Sequence, residues 1–287
     1  MARLQSDGCE IHYEVTGSGP PVLLLHGLGS CGKDWELQVP ALAARYTVIT
    51  VDLRGHGESD KPKGPYTMSM LSADVVHVIE TLGLGPLHVV GISLGGMVAF
   101  QLAVDAPALA KTLAVVNSAP AVVPDRFTTW LALKARFWAL SLLGLERLGK
   151  KIAAVNFPGP EQAAMRQSLA ARIAANDVAA YRATMRAIVG WTVEERLASI
   201  VCPVLVVAAE HDYTPIALKQ AYAAKMPHAR VAIVEHSRHV TPFDQPAVLN
   251  RLLLEFLDEN EPSARSGAAV APGEGRAWRE AKFASNA

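Results

Sequence analysis

A serine stands between two glycines in the stretch Gly91-Ile92-Ser93-Leu94-Gly95, where an apolar run gives way to a helical pattern. A serine hydroxyl is a weak nucleophile, and it reacts when it projects from a sharp turn toward a base. Residues 87–90 predict a strand before the serine, and residues 97–104 predict a helix after it. The pattern therefore indicates nucleophilic catalysis by Ser93, with small neighbours leaving room for a tight turn.

Two apolar runs late in the chain end in residues that could activate such a serine. A serine nucleophile needs an imidazole base and a carboxylate that orients the imidazole. Residues 204–208 precede two acids, and residues 230–234 precede two histidines. The candidates are Glu210 and Asp212 as the acid and His236 and His239 as the base. The order serine, acid, histidine fits a sheet that delivers each residue at the carboxyl end of a strand.

The elements that must position these residues follow from the hydrophobic pattern. Short β-rich runs alternate with amphipathic helical patterns, which predicts an α/β fold with a mostly parallel central sheet flanked by helices. The predicted strands are residues 10–15, 22–25, 46–51, 87–90, 112–116, 204–208 and 230–234. Between about 121 and 196 the alternation stops. Helical patterns at 127–148, 163–173 and 178–189 there predict a helical cap inserted into a domain of residues 1–258.

Residues 259–287 are polar at first and then rich in Gly, Ala and Pro. We expect a largely disordered C-terminal tail, with a possible short helix at 277–283.

Composition narrows the class of protein. The 287 residues are 51% hydrophobic and carry 27 Lys or Arg against 27 Asp or Glu, without a basic block that would predict a nucleic-acid partner. We find no secretory signal and no apolar segment long enough to cross a bilayer. Three scattered cysteines disfavour a disulfide framework or a metal site. We therefore expect a cytoplasmic protein without membrane, nucleic-acid or metal partners.

Several motifs together resemble the α/β-hydrolase fold enzymes, over roughly residues 10–257. These are H-G-L-G-S at 26–30, D-L-R-G-H-G-E-S at 52–59, G-I-S-L-G-G at 91–96, the loop at Asp212, and H-V-T-P-F-D-Q-P at 239–246. The resemblance implies an α/β-hydrolase fold with a helical cap after the sixth strand. The family places its acid shortly before a proline, and its base before an acidic residue and a proline. This favours Asp212 and His239 over Glu210 and His236, and it implies a triad with Ser93.

The stretch from His26 to Gly32 also has the Gly-x-Gly-x-x-Gly spacing of a dinucleotide-binding loop. Pro40 interrupts the helix that such a loop requires, which disfavours this reading. The family resemblance implies instead that the loop supplies one backbone N–H of an oxyanion hole. That assigns the N–H groups of Leu28 and Leu94, and it implies chemistry without a cofactor or a metal.

The substrate is less well defined by the sequence. The serine motif and its helix resemble 3-oxoadipate enol-lactonases and related carboxylesterases, which implies hydrolysis of a carboxylic ester or lactone. His26, Trp35, Trp130 and Trp138 are candidate pocket residues. Residues 120–197 carry eleven Lys or Arg against six Asp or Glu, and this excess would favour a small anionic substrate. Three alternatives stay open: a C–C bond hydrolase, a cofactor-free perhydrolase, and a ligand-binding receptor with negligible turnover.

Overall fold

The apolar runs form the strands of one sheet in the computed structural model, which describes residues 2–123, 127–261 and 282–283. The strands are β1 (Ala2–Ser6), β2 (Cys9–Thr16), β3 (Pro21–Leu25), β4 (Thr47–Val51), β5 (Leu87–Ile92), β6 (Ala110–Val116), β7 (Val204–Ala209), β8 (Ala229–Val234) and β9 (Lys282–Phe283). Their order in the sheet is β1-β2-β4-β3-β5-β6-β7-β8-β9. The pairs β1–β2 and β2–β4 are antiparallel, and the others are parallel. The prediction of a mostly parallel sheet is confirmed.

Helices connect the strands and cover the sheet. They are α1 (Val39–Ala43), α2 (Met68–Thr81), α3 (Leu94–Asp105), α4 (Phe127–Asn156), α5 (Ala163–Ala174), α6 (Val178–Ile188), α7 (Ile216–Ala223), α8 (Thr241–Asp244) and α9 (Pro246–Glu259). Short 3-10 helices lie at Gly32–Trp35, Pro107–Leu109, Pro160–Gln162 and Glu194–Ser199.

Both faces of the sheet are buried, as the continuous apolar strands require. In β3, Leu23 and Leu25 belong to the core on the side of α2, α3 and α7. Val22 and Leu24 belong to the core on the side of α1 and α9. Side chains of a strand alternate between its two faces, so one short run of four apolar residues feeds two cores. The carboxyl ends of the strands are thereby fixed from both sides.

Helices make up most of the described chain between β6 and β7. The helix α4 reaches Asn156, farther than the predicted 148, and bends at Gly144, whose φ is +68°. A β-bridge between Ala121 and Thr192 joins the two ends of this insertion, close to the predicted boundaries of 121 and 196. The helices α4, α5 and α6 share a small core of their own, which includes Leu140, Ile173 and Tyr181.

The C-terminal region is described in part. The helix α9 continues through Glu259, and the two residues of β9 pair with β8 as a strand, in a stretch where the sequence suggested a short helix. The remainder of the predicted tail, 262–281 and 284–287, lies outside the described residues. No helix within the described ranges combines the length and the apolar character needed to cross a membrane.

Candidate active site

Ser93 occupies a sharp turn between β5 and α3. Its φ of +52° and ψ of −114° lie in a region that residues other than glycine seldom adopt. A Cβ at Gly91 would lie 2.3 Å from the carbonyl oxygen of Gly95, and one at Gly95 would lie 2.1 Å from that of Leu25. The two glycines flanking the serine are therefore required sterically. This is the strand–turn–helix geometry that the sequence predicts around Ser93.

The glycine-rich loop after β3 lies beside this turn. A Cβ on Gly27 would be 3.7 Å from the Cβ of Ser93, and the next residue, Leu28, is half-buried. On the other side, Leu94 is the first residue of α3, where an α-helix leaves backbone N–H groups without intrahelical partners. The two residues predicted to supply an oxyanion hole thus belong to separate elements: Leu28 follows Gly27, which lies beside Ser93, and Leu94 directly follows Ser93.

Buried polar groups hold the loop in place. The carboxylate of Asp34 accepts hydrogen bonds from the Gly27 N–H, at 3.3 Å, and from the Ser30 hydroxyl. Burial raises the pKa of Asp34, while the nearby His26 and these bonds oppose that rise. From the cap, the side-chain amide of Asn176 donates to the carbonyl of Gly29 at 2.7 Å. Both the main domain and the cap therefore fix the loop.

Asp212 and His239 form a close pair at the ends of β7 and β8. The Nδ1 atom of His239 lies 2.6 Å from Oδ1 of Asp212, whose side chain is only 1% exposed. The alternative pair, Glu210 and His236, is exposed to solvent, and its closest side-chain atoms are 3.9 Å apart. Instead, Glu210 accepts a hydrogen bond from the backbone N–H of His236 at 2.8 Å. The structure therefore pairs the acid and the histidine that the resemblance favours.

The second oxygen of Asp212 contacts a lysine that our sequence analysis missed. Lys219 of α7 is fully buried, and its Nζ lies 2.5 Å from Oδ2 of Asp212. Thr214 donates its hydroxyl to the same oxygen at 2.8 Å. Burial alone would raise the pKa of Asp212. The hydrogen bonds and positive charges of His239 and Lys219 outweigh that effect and hold the pKa far below its usual range.

Asn117 joins the ends of three strands and was also missed. Its side-chain amide donates to the carbonyl oxygens of His239, at 2.9 Å, and Arg238, at 3.2 Å, and to the Thr241 hydroxyl at 2.8 Å. Its side-chain oxygen accepts from the backbone N–H of Ala209 at 2.8 Å. The residue directly after β6 thus binds the end of β7, three residues before Asp212, and the loop of His239.

Ser93 and His239 are attached to consecutive residues at the end of β6. The backbone N–H of Ser93 donates to the carbonyl of Val116 at 3.0 Å, and His239 is held through its own carbonyl by Asn117. No hydrogen bond joins the Ser93 hydroxyl to His239 in the described part of the chain. Among the described residues, the acid–histidine hydrogen bond is therefore present, and a hydrogen bond between the Ser93 hydroxyl and His239 is not.

An aromatic side chain links this pair to the cap. The ring of Tyr213 stacks on the imidazole of His239, with the two centroids 4.3 Å apart and the planes inclined by 29°. The hydroxyl of Tyr213 accepts a hydrogen bond from the buried amide of Asn156, at the end of α4, at 2.6 Å. Movement of α4 would thus act on a residue that covers the histidine.

Two of the four predicted pocket residues, His26 and Trp35, require correction. His26 is fully buried, and its ring nitrogens contact the backbone at the Gly27 carbonyl and the Leu53 N–H, so it braces the loop and offers no polar group to a pocket. Trp35 is also fully buried, in the core beside α1 and α9. Trp138 is 66% exposed on α4. The side chain of Trp130 lies outside the described residues.

The positive excess of the cap is partly neutralised by acids elsewhere. Arg172 bonds to Glu36 at 2.5 Å, and Arg196 bonds to Asp105 at 2.8 Å. Both acids precede the segment in which the charges were counted, so the excess of cations there overstates the local charge.

Within residues 2–123, 127–261 and 282–283, no group of three or more His, Cys, Asp and Glu side chains is placed to hold a metal ion.

A model of the alpha/beta hydrolase family matches residues 22–252. Among curated proteins, RutD of Azorhizobium caulinodans, a proposed carbamate hydrolase, is 30% identical over 257 residues, which are 87% of this chain and 96% of RutD. Two solved structures are similar throughout. The enol-lactonase from Burkholderia xenovorans LB400 has a TM-score of 0.82 at 24% identity and covers 90% of this chain and 100% of its own. A hydrolase from Pseudomonas aeruginosa PA01 has a TM-score of 0.81 at 26% identity and covers 89% and 97%.

Proposed function

Because the chain belongs to the alpha/beta hydrolase family, we propose that it hydrolyses a carboxylic ester or lactone through an acyl-enzyme formed on Ser93. The contact between His239 and Asp212 carries this proposal. It brings a base and an orienting carboxylate to the edge of the sheet where Ser93 sits in its strained turn. A serine in such a turn, beside a carboxylate-bound imidazole, is the arrangement that acyl transfer requires.

The first half of the reaction forms the acyl-enzyme. Ser93 Oγ attacks the substrate carbonyl carbon as its proton passes to Nε2 of His239. Asp212 keeps the other ring proton on Nδ1 and stabilises the imidazolium. The N–H groups of Leu28 and Leu94 bind the developing oxyanion, and one such donor is typically worth about 10²–10³ in kcat. Collapse of the intermediate breaks the bond to the leaving alcohol, which takes the proton from Nε2.

The second half returns the enzyme to its starting state. Water attacks the acyl carbon and gives its proton to Nε2 of His239. The tetrahedral intermediate then expels Ser93 Oγ, which recovers that proton, and the carboxylic acid leaves. Both halves need a hydrogen bond between Ser93 Oγ and Nε2 of His239. Such catalytic contacts are often long in free enzymes and shorten when substrate binds.

Carbamate hydrolysis is a second candidate, and the similarity to RutD over 87% of the chain favours it. A carbamate carbonyl would react with Ser93 through the same tetrahedral intermediate. The substrate's carbonyl substituents distinguish the two functions, because the described catalytic groups serve either one. Since acids of the main domain bind Arg172 and Arg196, the proposal includes neutral as well as anionic substrates.

Labelling with a fluorophosphonate, followed by peptide mass analysis, tests the nucleophile. We expect the adduct on Ser93, and we expect Ser93→Ala to lose ester turnover by about 10⁵-fold or more. Ser199→Ala is the matched control, because that serine is exposed on a 3-10 helix and bonds only locally to the Arg196 carbonyl. An adduct on another residue, or undiminished turnover by Ser93→Ala, would refute the assignment.

A substrate panel then separates the functions. It compares kcat/KM for aryl esters, enol-lactones and aryl carbamates of matched acyl size. A vinylogous diketone tests C–C hydrolysis, and peroxide with acetate tests perhydrolysis. Highest kcat/KM for esters or lactones supports the proposal, and highest kcat/KM for carbamates supports the second candidate. Labelling of Ser93 without turnover of any of these compounds would favour a receptor.

A further inference from the structure

A lysine side chain is buried against the carboxylate of the acid–histidine pair. Lys219 is 0% exposed and lies on the face of α7 that it shares with Tyr222 and Ala223, the other buried residues of that helix. Charged groups are expensive to bury unless they are paired and hydrogen-bonded. The reaction proposed above assigns Lys219 no step. Its burial therefore calls for a role in the acid–histidine pair.

The contacts of Lys219 are complete. An ammonium group has three N–H donors. Its Nζ lies 2.5 Å from Oδ2 of Asp212, 2.7 Å from the hydroxyl of Thr214 and 2.9 Å from the Thr214 carbonyl. The Thr214 hydroxyl in turn donates to Oδ2 of Asp212 at 2.8 Å. One carboxylate oxygen is thus held by Lys219 and Thr214, and the other is left for His239.

We propose that Lys219 is a positioning residue, which orients Asp212 toward His239 and keeps His239 unprotonated at a lower pH than Asp212 alone would allow. This inference rests on the triad proposed above. Its physical basis is that a protonated His239 would place a second cation on a carboxylate that already holds Lys219. The repulsion between the two cations opposes protonation of the imidazole, which must be neutral to act as a base.

The surroundings of the pair contain few competing charges. In residues 2–123, 127–261 and 282–283, the ion pairs of Asp212 are those with Lys219 and His239. From α7, Tyr222 also faces the carboxylate, and from the loop before α7 the ring of Tyr213 covers the imidazole. On the histidine loop, the carboxylate of Asp244 is occupied by Ser237 and by the backbone N–H of Arg238. Glu210 and His236 are exposed, and the β6 contact is the neutral Asn117.

Lys219→Gln removes the charge and keeps an amide donor for Oδ2 of Asp212. We expect the acidic limb of the kcat/KM profile to move to higher pH by between about one and two units, because the imidazolium no longer faces a neighbouring cation. Lys219→Met removes both the charge and the donor. It should show the same shift together with a lower plateau.

Two control variants separate the charge from the packing. Thr214→Val removes the bridging hydroxyl and leaves the cation, so we expect a lower plateau with an unmoved acidic limb. Lys225→Met removes a half-exposed lysine that bonds to Glu194, just beyond the end of α7, and should change neither quantity. Lys219→Arg retains a cation, and the acidic limb of its kcat/KM profile should lie at the same pH as in the wild type.

The experiment measures the acidic limb from the pH dependence of kcat/KM. In the same variants, NMR measures the titration of the His239 ring independently. Ester turnover that Ser93→Ala does not reduce would refute the proposed function. The NMR titration of His239 would then still test the role of Lys219. The inference would be overturned if Lys219→Gln lowered only the thermal stability. In that case the acidic limb of the kcat/KM profile and the NMR titration midpoint would stay unchanged, and the lysine would be structural. If Lys219→Gln does not fold, Lys219→Met gives the same decisive comparison.

Discussion

Replacement of Asn117 by aspartate is the sharpest test of how the site is assembled. Asn117→Asp retains the side-chain oxygen that accepts from the Ala209 N–H. It replaces the amide nitrogen, which donates to the carbonyls of Arg238 and His239 and to the Thr241 hydroxyl, by a second oxygen. Asn117 has a φ of +47°, a conformation that both asparagine and aspartate tolerate. The substitution therefore isolates the hydrogen bonds from backbone strain.

The size of the effect follows from the groups left without a donor. Asn117 is 3% exposed, and the carbonyls of His239 and Arg238 both lose its amide donor, although the hydroxyls of Ser237 and Thr241 still donate to Arg238. Each lost bond at such a buried site costs about 1–3 kcal/mol. The new carboxylate also faces these oxygens directly. We expect the free energy of unfolding to fall by about 3–5 kcal/mol at pH 8, which lowers Tm by roughly 6–20 °C for a chain of this size. Ester turnover should fall at least tenfold, because the loop of His239 loses its amide hydrogen bonds to the end of β6.

Urea unfolding at several pH values distinguishes this explanation from a general packing defect. Protonation of the new carboxyl group restores one O–H donor, so the loss of stability should shrink as the pH falls below about 6. Asn260→Asp is the control. It removes a single bond, to the Phe256 carbonyl at the end of α9, and should cost less than about 1 kcal/mol. A stability loss at Asn117 that is small, or that does not change with pH, would refute the reasoning.

Two further predictions concern the scaffold. Gly95→Ala should cost about 3 kcal/mol or more in thermal unfolding, since its Cβ would lie 2.1 Å and 2.7 Å from backbone oxygens of Leu25 and His26. Gly83→Ala, with a φ of +63° and open space around it, should cost only about 1–2 kcal/mol. Burial, and to a lesser extent His26, lowers the pKa of His56 to about 3, so the folded state keeps His56 neutral while the unfolded chain binds a proton below about pH 6.5. His56 should therefore add no pH dependence above about 6.5 and remove about 1.4 kcal/mol of stability per pH unit below it. His56→Gln should flatten that slope in urea titrations, and an equal slope in the variant would contradict this.

The sequence predicts those parts of the site that follow from the alternation of strands and helices along the backbone. An apolar run before Ser93 and a helical run after it predict a turn, and small residues on both sides predict that the turn is tight. The structure shows this turn, with φ at +52°. The same reasoning places two acids and two histidines after strands, and the family resemblance selects Asp212 and His239, which the structure finds 2.6 Å apart. The catalytic roles of the three residues stay predictions.

The sequence did not predict which of the candidate pocket residues are buried in the core. An aromatic residue or a histidine beside a glycine-rich loop can face either the substrate or the core, and local spacing does not distinguish the two. His26 and Trp35 were predicted as pocket residues, and both are fully buried. The reason is that the loop turns after β3, so Trp35 packs with α1 and α9 on the far face of the sheet. Only the path of the chain after the carboxyl end of β3 determines which face of the sheet Trp35 meets.

Asn117 and Lys219 were missed because the search at strand ends was for an acid and a base. The end of β6 carries no carboxylate, yet the neutral amide of Asn117 there binds the backbone at the end of β7 and in the loop of His239. Lys219 left a usable signal, since it sits with Tyr222 and Ala223 at the helical spacing of a buried face, where an apolar residue is expected. A charge that breaks an apolar stripe seven residues after a candidate acid predicts a buried ion pair. We expect such a pair to set how strongly the carboxylate acts on the histidine, so that the proposed reactivity of Ser93 would depend on a residue that takes no step in the reaction.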